Sequence, residues 1–132
     1  MMEAELQRQI VEAAGYLGWT QEADFQLAVI ELAELYGWRW FAVPDWAKNL
    51  IMQSVLKHPR RGKRALPKGW PDLVLVRREA SGDVRGVVAE LKAQRGRVSP
   101  DQAEWLAIFD KLNIETFVWR PSDWDSIAKV LR

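Results

Sequence analysis

Three residues near the middle of the chain have the types and spacing that phosphodiester chemistry needs. Asp72 starts the apolar run 72–76, while Glu90 and Lys92 close the apolar run 87–92. Because successive side chains of a strand point to opposite faces, Glu90 and Lys92 are predicted to share one face, about 6.5 Å apart along it. Two converging carboxylates can hold a hard divalent cation through oxygen, and a neighbouring ammonium can polarise or hold the attacking water. The trio therefore indicates a nuclease.

Each member of this trio also has an ordinary structural interpretation. Asp72 could cap a turn, and Glu90 and Lys92 could form a solvent-facing pair at the end of a strand. Their joint occurrence ahead of Ser99-x-x-Gln102 favours the chemical interpretation.

The composition is that of an ordinary soluble globule. The chain has 132 residues, enough for one domain with its own core, and is 48% apolar and 28% charged. It has no apolar run approaching the ~20 residues of a membrane span, and its acidic start is unlike a signal peptide. The absence of cysteine excludes a disulfide framework, a thiol nucleophile and a thiolate zinc site. We expect a cytoplasmic protein without a membrane partner.

Positive charge is concentrated in one segment, although the net charge is only +1. No acid occurs between Asp45 and Asp72. The basic residues of that stretch are Lys48, Lys57, Arg60, Arg61, Lys63, Arg64 and Lys68. A block of this sign commonly contacts the phosphates of nucleic acid. The alternative is a solvated basic loop without a dedicated partner, but metal-binding carboxylates nearby need positive surroundings to admit a phosphate.

The first 38 residues contain a repeat with a period of 19, and each copy has apolar residues at helical spacing. We predict two consecutive helices, over residues 3–17 and 21–36. The apolar stripe of the second helix consists of Phe25, Val29, Leu32, Ala33 and Tyr36. A strand over 38–43, a short helix over 46–56 and a loop over 58–64 are predicted to follow.

The second half of the chain alternates strands and helices. Strands over 72–77 and 84–92 are joined by a turn, as in a hairpin. Ser99-Pro100-Asp101-Gln102 has the pattern of a capping box with proline at the first helical position, and it predicts a helix start. A strand over 114–119 and a last helix to Leu131 complete the order. The fold class is α/β, with a mixed sheet of about four strands flanked by helices.

Several motifs carry a resemblance to a known family. Gly69-x-Pro71-Asp72-Leu73, followed by Ala89-Glu90-Leu91-Lys92-Ala93, looks like the Asp…Glu-x-Lys signature of the PD-(D/E)XK nuclease superfamily. The run 92–102, then Trp105 and the run 118–124, is similar to the VRR-NUC branch of that superfamily.

The resemblance covers about residues 20–132 and implies a restriction-endonuclease-like core. Residues 1–132 would form a single VRR-NUC-like domain, with an additional N-terminal helix at 1–19 and a basic insertion at 45–70. One departure concerns Ala42, which stands near a place where family members frequently carry a histidine. This departure leaves the chemistry of the acids intact and puts the substrate contacts in question.

The resemblance also implies a role for individual residues. The implied catalytic residues are Asp72, Glu90, Lys92, Glu22 and Gln102, and the implied metal ligands are Asp72, Glu90, Leu91 and Glu22. Leu91 would contribute its carbonyl oxygen, Lys92 would position or activate the water, and Gln102 would lie close to the site. The implied cofactor is Mg²⁺ or Mn²⁺.

Two of these assignments have competing explanations. Glu22 is an acid at a helix start, which the macrodipole favours by itself, and Glu3 is its equivalent in the first repeat. Gln102 is already explained by the capping box. Which of Glu22 and Glu3 completes the site stays open at this point.

Other residues exclude competing chemistries. His58 is the only histidine, so a two-histidine zinc site or a Ser-His-Asp triad is hard to support. No glycine-rich phosphate loop occurs, because Gly62-Lys63 lacks the upstream glycine, and a nucleotide cofactor is not indicated. The tryptophans predicted to pack in the core or at an interface, rather than to stack on bases, are Trp38, Trp40, Trp105, Trp119 and Trp124.

We therefore predict a DNA endonuclease that depends on Mg²⁺ or Mn²⁺ and acts on branched DNA such as four-way junctions. Two symmetric cuts need two active sites, so a homodimer is expected. The predicted DNA-binding residues are Arg60, Arg61, Lys63, Arg64, Lys68, Arg95 and Arg97. The alternatives are a restriction or nicking enzyme of the same superfamily and a noncatalytic DNA-binding module on a nuclease scaffold.

Overall fold

The computed structural model describes residues 22–43 and 67–132, and in the first stretch the side chains are described from residue 24 onwards. The elements in chain order are α1 (Glu22–Leu35), β1 (Arg39–Ala42), β2 (Leu73–Arg78), β3 (Val84–Leu91), α2 (Pro100–Lys111), β4 (Glu115–Trp119), a 3-10 turn (Pro121–Asp123) and α3 (Trp124–Leu131).

The elements predicted for these two stretches are all present, and the predicted strand ends differ from the observed ones by at most one residue. The predicted helices over 3–17 and 46–56 and the loop over 58–64 lie outside the described residues. The division into an N-terminal helix at 1–19 and an insertion at 45–70 therefore stays a prediction. None of the helices in the described part of the chain is long and apolar enough to cross a membrane.

The sheet is mixed and has the strand order β1-β2-β3-β4. Strands β1, β2 and β3 form an antiparallel meander, in which Trp40 pairs with Leu75 and Leu75 pairs with Val87. Strand β4 runs parallel to β3, with Leu91 opposite Trp119, and the connection between them passes through α2. The mixed α/β architecture is confirmed and is consistent with a restriction-endonuclease-like fold.

One face of the sheet forms the core with α1 and α3. Because strand side chains alternate, β2 and β3 direct Leu73, Leu75, Val87, Ala89 and Leu91 to this face, and all five are buried. Helix α1 covers them with the predicted stripe, of which Phe25, Val29, Leu32 and Ala33 are fully buried and Tyr36 is half-buried. Burial of such a side chain contributes about 1.5–3 kcal/mol. The predicted apolar pattern is confirmed.

Helix α2 belongs to the opposite face and is held there by aromatic contacts. The ring of Trp70 packs edge-on against Trp105 and Phe109, with centroid distances of 5.2 and 5.5 Å. Trp105 Nε1 also donates to the Lys68 carbonyl oxygen at 3.1 Å. None of the α2 residues is fully buried, and Leu112, directly after the helix, is 64% exposed.

The end of α3 is tied to the hairpin by Arg77. Its Nη1 donates to the carbonyl oxygens of Tyr36 at 3.1 Å and Leu131 at 2.8 Å, and its guanidinium lies 4.4 Å from the Trp38 ring centroid. Trp38 Nε1 donates to the same Leu131 oxygen at 2.8 Å. The helix therefore ends against a cation, which its dipole favours.

The tryptophans were predicted to pack in the core or at an interface, and the core position is confirmed for three of the five. Trp38, Trp119 and Trp124 are buried. Trp40, in contrast, is 44% exposed, and its Nε1 donates to Glu34 Oε1 at 2.7 Å. Trp40 is therefore not packed in the core, because β1 is an edge strand of the sheet. Packing of Trp40 at an interface stays a prediction.

Candidate active site

The adjoining ends of β2 and β3 bring Asp72 and Glu90 to one face of the sheet. Leu73 pairs with Ala89 in the antiparallel ladder, so Asp72, one residue earlier, lies opposite Glu90. Side chains directly opposite in such a ladder share a face, with Cβ atoms about 4.5–5.5 Å apart. Both residues are buried, with exposed fractions of 7% for Asp72 and 1% for Glu90.

Two donors predicted for this site contact Glu90. Gln102 Nε2 donates to Glu90 Oε1 at 2.9 Å, and Lys92 Nζ lies 3.8 Å from the same oxygen. The Lys92 side chain is 12% exposed, so the ion pair is shielded from water. A buried carboxylate without such partners would cost several kcal/mol in lost solvation. The alternative of a solvent-facing Glu90–Lys92 pair is therefore wrong.

The side chain of Gln102 serves the helix and the site at the same time. Its Oε1 accepts a hydrogen bond from the Ser99 N–H at 2.9 Å, and the Ser99 Oγ accepts one from the Gln102 N–H at 3.2 Å. This is the predicted capping box at the start of α2. The remaining amide nitrogen reaches Glu90. The two explanations of Gln102 are therefore compatible, because the same side chain caps α2 and contacts Glu90.

The Asp72 carboxylate is oriented by the backbone of β3. Asp72 Oδ2 accepts a hydrogen bond from the Leu91 N–H at 2.9 Å. The N–H and C=O of one strand residue point toward the same neighbouring strand, so we infer that the Leu91 carbonyl faces the Asp72 side. The Leu91 side chain points the other way, into the core, where it is 2% exposed. The arrangement is compatible with the implied use of the Leu91 carbonyl as an oxygen ligand.

Gly69 allows the segment before Asp72 to lie directly against the start of α2. Its φ of +84° is unfavourable for other residues, and a Cβ atom there would lie 2.6 Å from the Asp101 carbonyl carbon and 2.8 Å from the Gln102 nitrogen. This close approach places α2 where Gln102 can reach Glu90. Gly69 is part of the motif that carries the family resemblance, but its contact with α2 was not predicted; the available signal was a glycine two residues before the Pro71-Asp72 pair.

The loop after Lys92 is held by two contacts to the end of β4. Gln94 exchanges hydrogen bonds with Ser122, from Nε2 to Oγ at 3.0 Å and from the Ser122 N–H to Oε1 at 3.1 Å. Arg120 Nη2 donates to the Gly96 carbonyl oxygen at 2.9 Å. The loop presents Arg95 and Arg97, both exposed, to solvent. A loop held in this way can offer its arginines to a polyanion without first losing conformational entropy.

The remaining residues predicted for the site or for DNA binding either lie at the surface or fall outside the described part of the chain. Lys68 is 76% exposed and pairs with Asp101 at 3.4 Å, a surface contact. Glu22 is the first residue of α1, and its side chain is outside the description. The predicted DNA contacts Arg60, Arg61, Lys63 and Arg64 lie outside the described residues. Among the side chains that are described, no group of three or more His, Cys, Asp or Glu could hold a metal ion.

Two groups with shifted pKa values, Glu79 and Arg85, belong to a charge cluster at the hairpin. The pKa of Glu79 is lowered, chiefly by hydrogen bonding to Arg77, whose Nε and Nη2 donate to the two carboxylate oxygens at 3.1 Å each. The pKa of Arg85 is raised, chiefly by its hydrogen bonds to Glu115 at 2.9 and 2.8 Å. These pairs stabilise the hairpin and β4 and are separate from the Asp72–Glu90 pair.

Comparison with known proteins agrees with this geometry. The profile of the VRR-NUC domain matches residues 20–123, which is most of the chain and includes Asp72, Glu90, Lys92 and Gln102. Neither the search of curated proteins nor the search of solved structures found a match. The matched region extends from α1 through the 3-10 turn after β4. The chain therefore belongs to the VRR-NUC family, a nuclease domain of the PD-(D/E)XK-like superfamily.

Proposed function

We propose that this protein is a DNA endonuclease that depends on Mg²⁺ or Mn²⁺, with Asp72 and Glu90 as the acids that hold the metal. The observation that carries the proposal is the pair of buried carboxylates opposite each other at the adjoining strand ends, with Lys92 3.8 Å from Glu90. Together with the nuclease family, this arrangement supports hydrolysis of a phosphodiester bond.

The donor set fits a hard divalent cation. Carboxylate and carbonyl oxygens are the ligands that Mg²⁺ and Mn²⁺ prefer, and Mg²⁺ commonly retains several waters. Asp72, Glu90 and the Leu91 carbonyl would hold it, with Glu22 as the predicted fourth contributor. When bound, the cation supplies neutralisation of charge on the phosphate oxygens and lowers the pKa of a coordinated water.

The chain's own residues have distinct tasks in this proposal. Lys92, shielded from solvent and beside Glu90, would hold the attacking water and offset the charge that develops on the phosphate. Gln102 restrains the Glu90 carboxylate through the 2.9 Å hydrogen bond. Arg95 and Arg97 would contact backbone phosphates, together with the basic residues of the 45–70 segment. Such contacts give affinity that falls steeply with salt and carry little sequence information.

We further propose that the preferred substrate is branched DNA, in particular a four-way junction, cut by a homodimer. This part of the proposal is supported by the family resemblance and by the need for two active sites to cut two symmetric strands. Comparable cutting of junction, flap and linear duplex would remove the preference for junctions and favour a restriction-type or nicking enzyme. A dimer is expected in light scattering of the protein with and without DNA.

The decisive experiment is a cleavage assay on labelled junction, flap and linear duplex DNA with Mg²⁺, Mn²⁺ or EDTA. Asp72→Asn keeps an acceptor for the Leu91 N–H, and Lys92→Ala removes the ammonium. We expect each variant to lose at least a factor of about 100 in cleavage while binding DNA. Asp110→Asn and Lys129→Ala are the matched controls, because both residues are exposed on helices away from the acids.

The controls should cut as the wild type does, and EDTA should abolish cleavage. DNA binding without cleavage by the wild-type protein under every metal condition would overturn the proposal in favour of a noncatalytic module. Full activity of Asp72→Asn would instead overturn the assignment of the site.

A further inference from the structure

Arg120 is placed beside Lys92 by the parallel pairing of β3 and β4. Leu91 pairs with Trp119, and the Lys92 N–H donates to the Trp119 carbonyl oxygen at 2.9 Å, so Arg120 follows as the neighbour of Lys92. The backbone of Arg120 is extended, with φ −121° and ψ 162°. Strand alternation then puts it on the face of Glu90 and Lys92, with its Cα about 8 Å from that of Glu90.

The side chain of Arg120 contacts the loop that follows Lys92, at Gly96. Arg120 Nη2 donates to the Gly96 carbonyl oxygen at 2.9 Å. A Cβ atom on Gly96 would lie 3.4 Å from Lys92 Cδ, so the loop backbone lies close to the lysine stem. The Arg120 guanidinium and the aliphatic stem of Lys92 therefore both lie next to the backbone at Gly96.

The guanidinium of Arg120 differs from those of the other half-buried arginines. Arg77 and Arg85 each bind carboxylates, on Glu79 and Glu115. The backbone N–H of Arg120 donates to Asp123 Oδ2 at 2.8 Å. Within residues 22–43 and 67–132, however, its guanidinium has no carboxylate partner, and its Nη1 is shielded from water without a hydrogen bond. Removing a cation from water without an anion is costly. Arg120 as a whole is half-buried, so part of its surface stays open to a ligand.

We propose that Arg120 is a phosphate-binding residue of this site, which holds a backbone phosphate of the DNA strand that lies along Lys92. This inference rests on the proposed nuclease function. A guanidinium is suited to the task because its planar donors match the oxygens of a phosphate. The anion that the described residues do not supply to the Arg120 guanidinium is then supplied by the substrate.

The test separates a phosphate contact from a merely structural tie to Gly96. Arg120→Gln keeps an amide donor for the Gly96 oxygen but removes the positive charge. Arg120→Lys keeps the positive charge but lacks the planar N–H donors of the guanidinium. Gln94→Ala removes the hydrogen bonds between the same loop and Ser122 and does not change the charge. All three are made in the Asp72→Asn background, and binding to a labelled duplex is measured between 50 and 300 mM salt.

We expect Arg120→Gln to weaken binding and to reduce the slope of log Kobs against log salt by about 0.9, the value for one lost phosphate contact on duplex DNA. Arg120→Lys and Gln94→Ala should retain the slope of the parent. In the active background, Arg120→Gln should lower kcat/KM, with partial recovery in Arg120→Lys.

The inference is overturned if Arg120→Gln retains the parental slope, or if Gln94→Ala reduces it equally. The thermal midpoint of each variant is measured to confirm that the protein is folded. Cleavage by the wild type is a separate readout. A wild type that does not cut would refute the proposed nuclease function, whereas the slope of Arg120→Gln decides the phosphate contact by itself.

Discussion

Replacement of Gly69 by alanine tests how closely α2 must approach the segment that carries Asp72. A Cβ atom at position 69 would lie 2.6 and 2.7 Å from Asp101 atoms and 2.8 Å from the Gln102 nitrogen, all parts of the first turn of α2. The φ of +84° adds strain of about 1–2 kcal/mol for a residue with a Cβ. Overpacking against backbone adds about 1–3 kcal/mol. The expected loss in the free energy of unfolding is therefore about 2–5 kcal/mol.

Two other glycines provide matched controls for this substitution. Gly37 and Gly82 also have positive φ, +83° and +91°, but among the described residues a Cβ atom there would meet nothing within 4 Å. Alanine at either position should cost only the strain of about 1–2 kcal/mol. The excess cost at Gly69 measures the steric contact with α2.

Thermal unfolding by circular dichroism, combined with urea titration, measures these differences. For a chain of this size, 1 kcal/mol corresponds to about 4 °C, so Gly69→Ala should lower Tm by about 8–20 °C and Gly82→Ala by about 4–8 °C. If Gly69→Ala is no more destabilising than both controls, the close contact with α2 does not exist as described. At a temperature where all variants are folded, only Gly69→Ala should also lower cleavage.

Three further predictions concern individual side chains. Gln102→Glu should keep the capping box but place a second carboxylate against Glu90, so helix content should persist while cleavage falls by at least a factor of about 10; unchanged cleavage would contradict the contact. Arg77→Met should lower the free energy of unfolding by about 2–3 kcal/mol in urea titration, because the Leu131 carbonyl loses a charged donor; a loss below about 0.5 kcal/mol would contradict this. The lowered pKa of Glu79 means that its contribution is present above the unfolded pKa of 4.5 and is lost as pH falls through the folded value. Glu79→Gln should therefore flatten the dependence of Tm on pH below about 5, and an unchanged profile would refute this.

Much of the fold could be predicted from the sequence because its signals are local. The capping box at Ser99 and Gln102 involves residues three apart, and it is present as expected. The apolar stripe of α1 and the shared face of Glu90 and Lys92 follow from helical and strand periodicity, which do not depend on the rest of the chain. The resemblance to a nuclease family came from motifs that span the second half.

The features that could not be predicted depend on contacts between distant segments. The family resemblance placed Gln102 close to the site, but its hydrogen bond to Glu90 and the contact of Gly69 with Asp101 arise only after α2 packs on the sheet. The same holds for the tie between Arg120 and Gly96, 24 residues apart. Residue type alone did not decide whether Trp40 packs in the core or at an interface, because its exposure depends on the position of β1 at an edge of the sheet.

The double use of Gln102 has a consequence for observing the site in solution. The backbone N–H of Gln102 is hydrogen-bonded to Ser99 Oγ, while the side-chain amide nitrogen of the same residue donates to Glu90. A ligand that draws the Glu90 carboxylate away from the Gln102 side chain weakens one support of the first turn of α2. A ligand that immobilises the carboxylate strengthens this support. Hydrogen exchange at the backbone N–H of Gln102 therefore becomes a reporter of site occupancy that requires no probe at the site itself.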